Sequence, residues 1–156
     1  MLLFPAVFLL TFMSVSTVFA ARPAFFPIHF VDSVAFDCGS FQAREDVVGD
    51  GTGIVFFDQA GNPIKVQEHI NLNGVLTNLD TGFTLPDPGH FTVVYDLQKG
   101  TETDVGQIFR IIVPGEGIAA LDAGKVIFDA AGNITFVGGP HQVLFGGYGL
   151  LCPALG

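Results

Sequence analysis

The stretch VFFDQAGNPIKV, Val55 to Val66, decides the fold, because the chain nearly repeats it as VIFDAAGNITFV, Val126 to Val137. Seven of the twelve positions are identical, at a constant offset of 71 residues. In each copy an aspartate, Asp58 or Asp129, is placed to accept backbone N–H bonds at the start of a tight turn. Gly61 or Gly132 supplies the positive φ that closes the turn, and Asn62 or Asn133 tolerates the same region. Each copy therefore reads as a β-hairpin. A calcium loop needs several oxygens at alternating positions, whereas each turn here offers one acid. Apart from Gly53 and Gly124 the similarity stops outside the hairpin, so one turn is built twice and the halves of the domain are not duplicates.

The sequence around these hairpins is also β-like. Gly occurs twenty times and Pro nine times, scattered so that few windows escape a helix breaker, while short β-branched and aromatic runs recur. Alternation in HFTVVYDL sets Phe91, Val93, Tyr95 and Leu97 on one face, and in GQIFRIIV it sets Phe109, Ile111 and Val113 on one face. The polar QKGTETD between them, 98–104, reads as a mobile hairpin loop. Further strands are placed near 34–42, 52–58, 63–70, 73–79, 116–121, 124–129, 133–138 and 141–147. GDGTG, Gly49 to Gly53, precedes a strand and reads as a turn, since a phosphate loop needs a helix N-terminus after it. The segment 21–33, with two prolines, reads as an extended lead-in or edge strand.

Length allows one domain, 34–156, after the lead-in. Residues 1–20, MLLFPAVFLLTFMSVSTVFA, are apolar and end in Val18-Phe19-Ala20, the small-residue pattern of signal-peptidase cleavage. Thr11, Ser14, Ser16 and Thr17 interrupt the run that a membrane anchor requires. The expectation is a secreted, extracytoplasmic chain that leaves the membrane once the signal is removed. All fifteen acids and six bases lie in the mature part, so the net charge of −9 belongs to the domain. Such a surface repels phosphate and excludes nucleic acid as a partner.

Two cysteines, Cys38 and Cys152, stand near the two ends of the mature chain, and in an exported protein such a pair is most simply one disulfide. Bridging requires Cα atoms within about 7 Å. If Cys38 lies on the first strand and Cys152 just after the last, those strands are neighbours, which favours a closed antiparallel barrel of about eight strands. A β-sandwich whose termini meet is the alternative.

No nucleophile elbow, zinc-protease helix, C-x-x-C or phosphate-binding Gly-Lys loop occurs, and no catalytic residue is assigned. His29, His69, His90 and His141 lack metal-ligand spacing, and neither a metal nor another cofactor is expected. Asn-Ile-Thr at Asn133 is a glycosylation sequon on a turn. One residue breaks the pattern: Glu68 shares its face in PIKVQEHI with Ile64, Val66 and Ile70. Facing inward, it would place a carboxylate among Phe, Val and Ile and need a partner or a proton; near the strand end it would reach solvent. Arg110 would serve as that partner only from a strand turned the opposite way. The ligand-binding candidates are Glu68, Tyr95, Phe91 and Phe109.

Cys38-Gly39 near the mature start, VLTNLDTGF at 75–83 and a cysteine close to the end together resemble small secreted bacterial β-barrel proteins of uncharacterised function. That resemblance implies a barrel in an exported protein and no activity. At the level of fold the chain is also similar to the allene oxide cyclase and dirigent barrels. The expected function is a non-enzymatic secreted barrel binding a small apolar molecule, consistent with thirteen mature Phe and no Trp. The alternatives are a cyclase- or isomerase-like enzyme using Glu68, and a structural or cell-surface interaction module.

Overall fold

A computed structural model describes residues 21–156; the expected signal segment lies outside the described residues. The chain is all-β, with seven strands in one antiparallel sheet in sequence order: β1 (Ala24–Asp37), β2 (Gln42–Phe57), β3 (Pro63–Asn78), β4 (Thr84–Asp96), β5 (Thr101–Val113), β6 (Gly117–Phe128) and β7 (Ile134–Gly138). Two short helices, α1 (Gln142–Gly146) and α2 (Cys152–Leu155), flank a 3₁₀ turn at Tyr148–Leu151.

The repeated hairpins have one construction. Asp58 Oδ1 accepts from the N–H groups of Ala60 and Asn62 at 2.8 Å, and Asp129 Oδ1 accepts from those of Ala131 and Asn133 at 2.9 Å. Gly61 and Gly132 have φ of 86° and 80°. Even the bulge recurs: Phe57 pairs with Pro63 and Phe56 with Lys65, as Phe128 pairs with Ile134 and Ile127 with Phe136. The surroundings differ, since β3 is an interior strand and β7 an edge. A Cβ added to either glycine meets no atom within 4 Å. Gly61→Ala and Gly132→Ala are therefore expected to cost only the backbone strain, about 1 kcal/mol each, in urea unfolding. Losses near zero would contradict the left-handed turn.

Several expected boundaries are corrected. The segment 21–33 takes the edge-strand alternative, as β1 runs from Ala24, while 34–42 is divided by the turn at Cys38–Phe41. GDGTG is no turn but the middle of β2. Its glycines are compatible with a strand because β1 covers them: a Cβ on Gly49 would enter the Phe30 ring, and one on Gly53 the Phe26 ring. The pairs 63–70 with 73–79 and 116–121 with 124–129 are single long strands, β3 and β6. The expected loop 98–104 is mostly strand, with its turn confined to Leu97–Gly100. The expected strand 141–147 is helical, because Asp122 of β6 caps it: its two oxygens accept from Val143 N and Leu144 N, each at 2.8 Å.

The Cys38–Cys152 disulfide is present, with Cα atoms 5.4 Å apart. It does not join first and last strands, because Cys152 begins α2, and the sheet is open between β1 and β7. Nor is there a second sheet, as a sandwich would require, among the described residues. The C-terminal segment covers the sheet instead. Tyr148 packs against Phe36 of β1 and Phe109 of β5, with ring centroids 5.1 and 5.9 Å away. Asn78 fastens α2 by donating to the Leu155 carbonyl at 3.1 Å.

Cross-strand register assigns every side chain to a face, since directly paired residues point the same way. The inner face carries Phe36, Ala43, Leu76, Leu85, Ile111 and Ala120, which pack with Val143, Leu151 and Leu155 of the C-terminal segment into one core. That core fills only the end of the inner face beneath the helices. No helix among the described residues is long and apolar enough to cross a membrane.

Candidate functional site

Beyond the packed end, the inner face holds an unusual number of acids. Register places Asp32, Glu45, Glu68, Asp87, Glu102, Asp104 and Asp122 there, on six successive strands. The basic residues lie elsewhere. Arg44, Lys65, Arg110 and Lys125 alternate onto the outer face, Lys99 is in a turn, and Arg22 precedes β1. Arg110 is therefore no partner for Glu68.

The deepest group is Glu45 with Asp87. Both are nearly fully buried, at 3% and 2% exposed, and they meet over Gly74, where a Cβ would lie 2.8 Å from the Asp87 carbonyl and 3.4 Å from Glu45 Oε1. Asp87 is positioned by a gap in the sheet. Pairing of β4 with β5 runs only from His90 to Asp96, and Pro86 and Pro88, which lack N–H groups, occupy the unpaired stretch. Asp87 Oδ1 accepts there from Arg110 N at 2.9 Å, and Gln107 Nε2 donates to the Pro88 carbonyl at 3.0 Å.

Burial is the main cause that pushes Glu45 up to about 7; the Tyr148 hydroxyl opposes it by donating a hydrogen bond, while Asp87 and the exposed Asp32 add repulsion. Asp87 is also raised, first by burial. Their mutual interaction raises Glu45 and lowers Asp87, so of the two Glu45 is the one that holds a proton more readily. Burial and the neighbouring acids keep Tyr148 a neutral phenol.

Two cavities share Phe109 and Tyr148 as walls. The smaller, about 150 Å³, is lined by Phe30, Val47, Leu72 and Phe91 and reaches Glu45. The larger, about 220 Å³, lies between β5, β6 and α1 and is lined by Val126, Phe128 and Val143 with Asp104 and His141. Burial, with repulsion from Glu102, pushes Asp104 up to about 6.

All four expected ligand-binding residues lie on this inner face, but not in one place. Phe91 and Phe109 line the smaller cavity. Tyr95 lies at the opposite end of the sheet, in a recess of about 400 Å³ beside the hairpin turns, where burial and the Glu102 charge push its phenol up to about 12. Glu68 is half-buried on the intervening rows, its carboxyl raised by burial and by Glu102. Glu45, Asp87, Asp104, His141 and Tyr148 were not among the expected residues. Their signal was present only as register: Glu45 lies across from Leu76, and Asp104 across from Val126. No cluster of three or more metal-ligating side chains occurs among the described residues. Comparison with known protein families, with curated proteins and with solved structures finds no match for the chain.

Proposed function

We propose that the chain is an exported, non-enzymatic protein that binds a small, predominantly apolar molecule on the inner face of its sheet, on either side of Tyr148. The observation that supports this most is the pair of apolar cavities divided by Phe109 and Tyr148, each with a buried carboxyl at its wall. Few convergent polar groups in a mainly apolar, preformed space is the general character of a small-molecule site. The disulfide is in keeping with an oxidising compartment outside the cytoplasm.

A second reading has its own observation. Glu45, carrying a proton near neutral pH beside Tyr148, has the property of a general acid, so a cyclase- or isomerase-like reaction is the alternative. A structural or cell-surface module would use neither cavity.

Native mass spectrometry of the purified chain after incubation with lipid and metabolite extracts separates the three. Retention of a compound of unchanged mass is expected. A converted product would favour the enzyme, and a bare chain from every extract would leave the structural module.

A further inference from the structure

We propose that the cavity between β5, β6 and α1 takes an organic ammonium, a protonated amine on a compact apolar or aromatic body, held by Asp104 and His141. This rests on the small-molecule reading above and names the ligand's chemistry.

Two buried polar atoms at this cavity's wall have no hydrogen-bond partner. His141 retains only 7% exposure, and its Nε2 lies 3.3 Å from the Gly138 carbonyl, an oxygen that can only accept. Nε2 therefore carries a proton, and in the singly protonated ring Nδ1 is an acceptor; it is buried and has no hydrogen-bond partner. Asp104 Oδ1 is likewise buried and without a partner. Both residues line the same cavity of about 220 Å³. Two buried acceptors lacking donors each cost about 1 to 3 kcal/mol; both atoms are closed to solvent as the side chains stand, so a ligand whose N–H groups turn them into the cavity would recover that cost.

The charge of the wall selects among donors. Asp104 has Glu102 and Asp122 as neighbouring acids and no Lys or Arg on its face of the sheet. An alcohol or amide would satisfy the hydrogen bonds and leave the charge alone; an ammonium satisfies both. Asp122 is less available to the ligand than Asp104, because each of its oxygens already accepts a bond from α1. The remaining wall, Phe109, Val126, Phe128 and Val143, suits an apolar body, and its rings favour a cation over their faces. A hydrated metal ion would waste these walls, and an anion would meet the acids.

Three probes with the same phenylethyl body test this by calorimetric titration at pH 7.5: 2-phenylethylamine, 2-phenylethanol and 3-phenylpropionate. The amine is expected to bind at least about tenfold more tightly than the alcohol, and the carboxylate not at all. Asp104→Asn should reduce amine affinity to near that of the alcohol, with an unchanged circular dichroism spectrum and cooperative unfolding showing that the variant is folded. Equal binding of amine and alcohol, or an amine unaffected by Asp104→Asn, would overturn the ammonium assignment and leave the small-molecule reading intact. Binding of none of the three at millimolar concentration would overturn both.

Discussion

Replacing both cysteines, Cys38→Ser with Cys152→Ser, is expected to lower the stability of the domain by about 4 kcal/mol. The bond closes a loop with a sequence separation of 114, long enough for its loss to release a large entropy into the unfolded chain. The folded state is affected as well. Cys152 begins α2 directly after the turn that carries Tyr148, and Cys38 packs against the core beneath it. Without the bond, the C-terminal segment is held by packing, by the Tyr148 hydroxyl on Glu45, by the Asp122 cap of α1 and by the bond from Asn78 to the Leu155 carbonyl. Urea unfolding of the double variant measures the loss, and dye binding to exposed apolar surface reports loosening of the cover. An unchanged urea midpoint would show that the C-terminal segment docks without the disulfide.

The second large effect is on pH dependence. Folding raises the Glu45 carboxyl from its ordinary value to about 7 and Asp104 to about 6, so between about pH 4.5 and 7 the folded chain binds more protons than the unfolded one. Stability from these groups is complete below their unfolded pKa and is lost as pH rises through the folded value. Glu45, being almost fully buried, accounts for about 3 kcal/mol of that loss. The exposed aspartates Asp46, Asp58, Asp96 and Asp129 act oppositely: hydrogen bonds hold each below its ordinary value, so their contribution is lost only as pH falls below about 4. Thermal unfolding should therefore show greatest stability near pH 4 to 5 and a decline towards pH 8. Glu45→Gln should flatten the decline between pH 5 and 7. A stability that is level or rising over that interval in the unmodified chain would contradict a buried, protonated Glu45.

Local chemistry made part of this molecule legible before any coordinates. Asp58 and Asp129 each specify their own turn through bonds within five residues, and the alternation of Phe91, Val93 and Tyr95 fixes a face without reference to another strand. Glu68 falls on the inner face for the same reason. What depended on partners was not legible. Gly49 and Gly53 resemble turn residues until the rings of Phe30 and Phe26 are laid over them from β1. His141 to Gly146 contains β-forming residues, but the donors of Val143 and Leu144 are taken by Asp122, about twenty residues away in sequence. Barrel closure follows from the cysteines only if Cys38 lies on the first strand and Cys152 directly after the last, whereas Cys152 begins α2, with α1 and the 3₁₀ turn between it and β7. Asp104 sits in a polar run that reads as a loop; only its pairing with Val93 and Val126 makes it an inner-face residue. Glu45 and Asp87 come together across Gly74 from strands two apart, a meeting that no local pattern announces.

The claim on which the functional account depends is that the inner face holds buried carboxyls in an apolar space not filled by the protein's own side chains. Carboxyl-carbon NMR of selectively labelled Asp and Glu, followed from pH 3 to 9, tests it most directly. The account predicts that Glu45 and Asp104, assigned through Glu45→Gln and Asp104→Asn, titrate near pH 7 and 6, well above the remaining exposed acids. Titration of both groups near pH 4, as for carboxyls open to water, would contradict it.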